Sequence, residues 1–146
     1  MTGFVENYLL YLLAASSEKA SAEFHAQVRA RGVRVPEWRV LACLGDEDGA
    51  MITRLAGIAL VEQSRLTRII DGMAEKGWVT RRADAEDRRR VRVWLTEAGR
   101  ALAADLVTAA RAHEAAVLGA LEGSDADRIK PALRALLARM AGSADE

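Results

Sequence analysis

The sequence predicts a mainly α chain with a small β-hairpin, and three observations carry that expectation. Hydrophobic residues make up 51% of the 146 residues and aromatics 5%, with Ala and Leu dominant, a composition that favours helix over sheet. From Phe4 to Ala30 no Pro or Gly interrupts the chain, and apolar residues recur there at helical spacing. Two short runs, 78–82 and 91–95, instead have strand character and flank a polar, arginine-rich loop.

Length and charge narrow the function classes. The length suits one folding unit, 1–146. Lys and Arg together number 21, as do Asp and Glu, so overall charge gives no argument for a nucleic-acid partner. The distribution of charge does. Residues 1–50 and 93–146 each carry a balance of −2, whereas 51–92 carries +4. The single cysteine, Cys43, excludes an intramolecular disulfide and fits a reducing compartment. The N-terminus lacks a basic leader and no apolar run is long enough to cross a bilayer, so a cytoplasmic chain without membrane attachment is expected.

The stretch 4–30 reads as one long helix. Val5, Leu9, Leu12, Leu13, Ala20, Phe24 and Val28 lie on one stripe and Phe4, Tyr8, Tyr11 and Ala22 on a second. Its first half is apolar on more than one face, a surplus that suggests a partner subunit. Gly32 stops it, and Pro36 suits the start of a second helix to about Leu44, with Val35 as a poor cap. Trp38, Leu41, Ala42 and Cys43 would turn inward. A charged turn at 45–49 leads to a short strand at 50–52 and a short helix from Thr53 to about Ile58. After Ala59-Leu60-Val61 comes a helix at 62–76, where Leu66, Ile69, Ile70 and Met73 follow the i, i+3, i+4, i+7 rule. Two helices joined by a tight turn form a helix-turn-helix.

Gly77 ends that helix as a C′ glycine does. In the second strand Val91, Val93 and Leu95 alternate toward the core while Arg92 and Trp94 point away, and the eight residues between the strands form a wing. Thr96 caps a helix that runs to about Leu121 and buries Leu102, Leu106, Ala109, Ala110, Ala116, Val117, Ala120 and Leu121. Ser124 and Asp127 resemble a capping box for a last helix, roughly 126–141, with Pro131 near its start and Ile129, Leu133, Leu136, Leu137 and Met140 inward. The tail, 142–146, is expected to fray.

The residue types on helix 62–76 suit duplex DNA. The major groove admits one helix, and side chains near its N-terminal end read base edges. Gln63 can pair with adenine, Arg65 or Arg68 with guanine, and Ser64 and Thr67 with phosphates or bases; the alternative is an ordinary solvated face. The hairpin shifts that balance. Residues 81–90 contain Arg81, Arg82, Arg88, Arg89 and Arg90, a density of positive charge that a polyanion would neutralise. An arginine at the loop tip gains from the negative potential of the minor groove, and Asp87 is placed to aim it by a bidentate pair.

These residues resemble the MarR (multiple antibiotic resistance regulator) family of winged helix-turn-helix transcription factors. The resemblance rests on Pro36-x-Trp38-Arg39-Val40-Leu41, Leu55-Ala56, Gln63-Ser64-x-Leu66-Thr67-Arg68, Gly77-Trp78-Val79-x-Arg81, Asp84-x-x-Asp87-Arg88-Arg89 and Leu95-Thr96-x-x-Gly99, in register across about 36–99. Asp87 and Arg89 match the family's wing signature. The resemblance implies a winged helix-turn-helix region at 36–96 flanked by dimerisation helices at 4–30 and 97–141. It implies a homodimer that binds a palindromic operator as a repressor, and a small aromatic or amphipathic effector that weakens DNA binding. Tyr8, Tyr11 and Trp38 are the candidates for lining an effector pocket, with plain core packing as the alternative.

One departure stands out: Leu60 occupies the turn position where many helix-turn-helix units carry glycine, so the turn is expected to be wider or to use a different backbone. Cys43 lies in the second helix rather than the first, where peroxide-sensing members carry theirs, and reads as a small buried apolar residue. His25 and His113 offer no metal constellation, no cofactor fingerprint is present, and no catalytic set supports an enzyme. The competing readings are a winged-helix dimerisation or protein-interaction module without sequence-specific DNA binding, and a ligand-binding or stress protein.

Overall fold

The structure, a computed structural model, describes residues 3–142, so most of the tail expected to fray lies outside the described residues. The chain divides into two compact units, 1–110 and 111–146. In the first, α1 (Phe4–Asn7) and α2 (Leu9–Ala30) replace the single helix expected at 4–30. The break falls at Tyr8, whose backbone is extended at φ −75° and ψ 121°. Its ring stacks on Phe4 with centroids 5.0 Å apart, a contact across the corner that periodicity does not reveal. Only Phe24 and Val28 of α2 are buried.

The next helix, α3 (Val35–Asp46), starts one residue earlier than expected. Its N-cap is Arg34, not Val35, because the Glu37 carboxylate reaches back to accept the Arg34 backbone N–H at 2.8 Å. Strand β1 (Ala50–Met51) and helix α4 (Ile52–Ala59) follow, with Ile52, Leu55 and Ala59 buried. Leu60 then adopts the left-handed conformation, φ 58° and ψ 42°. The turn is therefore not widened. It is made by a conformation that glycine adopts freely and leucine does not, and the Val61 N–H donates back to the Ala56 carbonyl at 3.1 Å. Helix α5 (Gln63–Glu75) buries Leu66, Ile69, Ile70 and Met73, as its spacing predicts, and ends at Gly77 with φ +79°.

Strands β2 (Val79–Ala83) and β3 (Val91–Leu95) pair antiparallel from Val79 opposite Leu95 to Ala83 opposite Val91. β1 joins the free edge of β3 through Ala50 opposite Val93, giving the order β1-β3-β2. Val93 and Leu95 are buried as expected. Arg92 and Trp94 do not simply point outward: both are half-buried. The core joins α2, α3, α4, α5, the sheet and the first turns of α6 (Glu97–Gly119), from Val28, Leu41 and Leu44 through Leu55 and Ile70 to Leu106. Thr96 caps α6 as predicted, its Oγ1 accepting the Gly99 N–H at 3.0 Å. Gly99 is required there, since a Cβ would run into the Trp78 carbonyl.

In the second unit α6 continues to Gly119 and α7 spans Asp125–Gly142. The inward faces expected here are covered only in part. Ala116, Val117, Ala120 and Leu121 are exposed, α7 has no buried residue, and Leu137 and Met140 are 70% and 62% exposed. Apolar periodicity marks a face that can be buried, and among the described residues of this unit that face is only half covered, Leu136 being half-buried and Val117, Leu121, Ile129 and Leu133 keeping 36–39% exposure. Pro131 lies inside α7 rather than near its start, and the contact at the start is made by the backbone, with the Asp127 N–H donating to the Ser124 carbonyl at 3.2 Å.

Candidate nucleic-acid interface

Burial of Leu66, Ile69, Ile70 and Met73 fixes which side of α5 meets solvent. Gln63, Ser64, Arg65, Arg68 and Asp71 are exposed and Thr67 is partly so. Thr67 is occupied locally, its hydroxyl donating to the Gln63 carbonyl at 3.2 Å. Glu62 is the N-cap of α5 and makes no side-chain cap hydrogen bond, and the first turn, Gln63 to Arg65, carries no acidic residue.

The wing is built around two aspartates. Asp84 is buried to 9% exposure and accepts Arg92 Nε at 2.6 Å and the Asp87 N–H at 3.2 Å. This explains why Arg92 is drawn down: its other arm donates to the Gly49 carbonyl at 2.9 Å, linking the wing to the turn before β1. Two backbone bonds close the loop, Asp84 N–H to the Arg90 carbonyl at 2.9 Å and Arg90 N–H to the Asp87 carbonyl at 3.0 Å. The Arg92 hydrogen bond, ahead of a smaller opposing effect of burial, holds the Asp84 carboxyl below the usual carboxylate range.

Asp87 aims Arg89, but not by the fork expected from sequence. One oxygen, Oδ1, accepts both the Arg89 backbone N–H at 3.1 Å and Arg89 Nε at 3.2 Å, while Oδ2 lies 3.5 Å from Arg90 Nε. The carboxylate is split between two arginines because the tight loop brings both within reach. Arg89, and to a lesser degree Arg90, holds the Asp87 carboxyl below its usual range. The guanidinium so held remains 92% exposed. Arg88 is exposed beside it, and Arg82 lies over Trp94 at 5.9 Å from the ring centroid.

Helix and wing are tied together. Arg81 of β2 pairs with Asp71 on the solvent face of α5, so one of the arginines expected to contact DNA is engaged within the protein. Between them lies an open cleft of about 440 Å³ whose walls include Gln63 and Thr67 from α5, Met51 and Ile52 from the β1–α4 junction, and Arg81, Arg89 and Arg90 from the wing. The fold thus brings Gln63, Thr67, Arg81, Arg89 and Arg90 onto one concave surface, with Ser64, Arg65, Arg68 and Arg88 exposed on the same two elements. Sequence reasoning assigned no role to Asp84 or Asp71. The signal for Asp84 was its spacing to Asp87 and Arg92; for Asp71 there was none, since partners across two elements leave no periodic trace.

The aromatic candidates sit in different settings. Tyr8 and Tyr11 are each 43% exposed on the N-terminal helices, whereas Trp38 packs edge-on against Phe24 at 5.2 Å. Cys43 is half-buried, and burial, then Asp46, pushes its thiol above the usual range, which disfavours the thiolate. His25 is lowered by burial and by Arg39 and Arg29. Among the described residues no group of His, Cys, Asp and Glu could hold a metal ion, and no helix is long and apolar enough to cross a membrane.

The MarR family model matches residues 33–91. The crystal structure of a MarR family transcriptional regulator from Silicibacter pomeroyi DSS-3 is similar throughout, at 62% identity and a TM-score of 0.86, over 95% of this chain and 99% of that one. The organic hydroperoxide resistance transcriptional regulator of Bacillus subtilis is 27% identical over 135 residues, 91% of this chain and 89% of its own. A MarR family protein of Mycobacterium tuberculosis, solved in complex with salicylic acid, is 29% identical with a TM-score of 0.71, over 88% of this chain and 95% of that one. Some likenesses are shorter: the match to the HTH-type regulator YpoP of Bacillus subtilis spans 45% of that protein.

Proposed function

The chain belongs to the MarR family of transcriptional regulators, and from that premise we propose that it is a homodimeric repressor of a palindromic operator, relieved by a small aromatic or amphipathic ligand. The observation that carries the DNA-binding part is the exposed Arg89 guanidinium held by Asp87 at the tip of a wing whose base is tied to α5 through Arg81 and Asp71. In this reading α5 enters the major groove with Gln63 to Arg68, and the wing places Arg88, Arg89 and Arg90 against the neighbouring minor groove. Two copies reach half-sites about one helical turn apart on one face of the duplex.

Homodimerisation is supported by the apolar surface a single chain leaves open. Phe4 is 76% exposed, Leu9 and Leu10 are 55% and 57%, and α7 adds Leu137 and Met140. Helices 4–30 and 97–141 then serve assembly, and 36–96 serves DNA. The salicylic acid complex of the mycobacterial relative supports a small aromatic acid as the class of effector, and Tyr8 and Tyr11 are the exposed aromatic surfaces offered to it, with Trp38 partly buried against Phe24. The chain acts in the cytoplasm, without cofactor, metal or enzymatic activity.

The test is selection of duplex DNA from a random-sequence pool, followed by titration of the selected duplex and a scrambled one against salt. The reading expects an inverted repeat and a steep fall of log K with log salt, since each phosphate contact releases counterion. Arg65→Ala should then relax base preference at one position of each half-site. Equal affinity for both duplexes, or indifference to salt, refutes the reading and favours an interaction module.

A further inference from the structure

A buried carboxylate sits away from the DNA face and is bonded to the recognition helix. Glu37, in the first turn of α3, has no exposed surface. It accepts the Arg34 backbone N–H at 2.8 Å and both oxygens accept from Lys76 Nζ, at 3.1 and 2.8 Å. Arg34 Nε lies a further 3.5 Å from Oε1. Lys76 is the C-cap of α5, its own N–H bonded to the Gly72 carbonyl, and its ammonium stands 4.8 Å from the centre of the Trp78 ring at the entry to β2. The start of α3, the end of α5 and the root of the wing therefore meet at one carboxylate.

Packing alone does not require this arrangement. Burying the Glu37 carboxylate forfeits solvation that the Lys76 ammonium, on a side chain 41% exposed, only partly restores, and an apolar residue of similar volume is often as stable there. What the pair adds is direction. Leu66, Ile69, Ile70 and Met73 define an apolar stripe that tolerates small rotation and sliding of α5, whereas two hydrogen bonds to a fixed carboxylate at the helix end do not. At the other end of α5 the Glu62 cap makes no side-chain bond, and the Glu37–Lys76 clasp acts at the C-terminal end of α5, beside the Asp71–Arg81 pair on its middle and the backbone bonds from Gly77 and Trp78.

We propose that Glu37, acting through Lys76, is a positioning residue that sets the angle at which α5 presents Gln63 to Arg68 to DNA. The proposal rests on the DNA-binding reading above. Its consequence is that removing the pair lowers discrimination between sequences more than it lowers general affinity. Base contacts need the helix placed to within a few tenths of an ångström, and phosphate contacts from flexible arginines do not.

The readout is the ratio of affinities of the full-length chain for the selected duplex and a scrambled duplex at one salt concentration. A purely structural role leaves this ratio unchanged, because a smaller folded fraction weakens both complexes equally. Glu37→Gln keeps an acceptor for the Arg34 N–H and removes the charge facing Lys76. The ratio should fall on the order of tenfold, equivalent to about one base pairing per dimer. Glu37→Gln/Lys76→Met removes both charges, so unfolding in urea should return toward the parent while the ratio stays low. An unchanged ratio in both variants, or a ratio recovered in the double variant along with stability, overturns the proposal. If the unmodified chain shows no preference for the selected duplex, the DNA-binding reading itself fails, and that outcome is distinct.

Discussion

Substituting Asp87 by Asn gives a test in which geometry and simple electrostatics predict opposite signs. Asparagine keeps the size of the side chain but removes the charge that Oδ1 brings to the Arg89 N–H and Nε, at 3.1 and 3.2 Å, and that Oδ2 brings to Arg90 Nε at 3.5 Å. If only the field mattered, two copies would each shed one negative charge beside the phosphates and DNA binding would tighten. If aiming matters, each wing must order a long, 92% exposed arginine on binding instead of beforehand. A rotamer-rich side chain loses most of its freedom when fixed, and with allowance for solvent screening this amounts to about fivefold in affinity per wing and about twenty-five-fold for two. The assay is fluorescence anisotropy on the selected duplex at fixed salt, with hydroxyl-radical footprinting to follow the minor-groove protection under the wing. Weaker binding with that protection abolished is the expected result. Tighter binding, or unchanged protection, refutes the clasp as an aiming device.

Arg89→Ala should lower the slope of log K against log salt by about 1.8 for a dimer, at about 0.9 for each phosphate no longer neutralised, so its deficit relative to the parent shrinks about twelvefold between about 50 and 200 mM salt; a parallel pair of lines would show that Arg89 touches no phosphate. At Leu60, φ 58° favours glycine, and the 80% exposed side chain contributes little packing, so Leu60→Gly should be more stable than Leu60→Ala by about 1 kcal/mol in urea unfolding at matched protein concentration. Equal stability of the two would mean the turn relaxes. The Asp87 carboxyl, held below its ordinary value of 3.8 chiefly by Arg89, should keep its clasp fully above about pH 4 and lose it as the pH falls through the lower folded value. Its carbon chemical shift in an acid titration should have a midpoint below 3.8, and a midpoint at or above 3.8 would show that the clasp does not form in solution.

Much of the DNA-facing unit follows from local sequence because its determinants are local. The i, i+3, i+4, i+7 spacing of Leu66, Ile69, Ile70 and Met73 dictates which face of α5 is buried, and Gly77 and Thr96 end and begin helices through their own backbone and hydroxyl chemistry. The Asp87 contact to Arg89 spans two residues, so its partner was legible, though not that Asp87 would be shared with Arg90. Local order falls short where a partner distant in sequence decides the outcome. Arg92 turns inward because Asp84 and the Gly49 carbonyl receive it, and Arg81 leaves the set of free arginines because Asp71 takes it.

By itself, then, the sequence determined the helix-turn-helix, the wing with its arginines, the charge concentrated in 51–92 and the apolar surplus at both ends of the chain. These depend on periodicity, composition and contacts within a few residues, which a chain carries in its order. Only the tertiary structure decided that Leu60 makes the turn left-handed, that Asp84 and Asp71 anchor the wing at its root and against α5, and that Glu37 clasps the end of α5 through Lys76. Each of the last three is a charge paired across elements, and the strength of such a pair is set by the distance and burial the fold imposes rather than by separation along the chain.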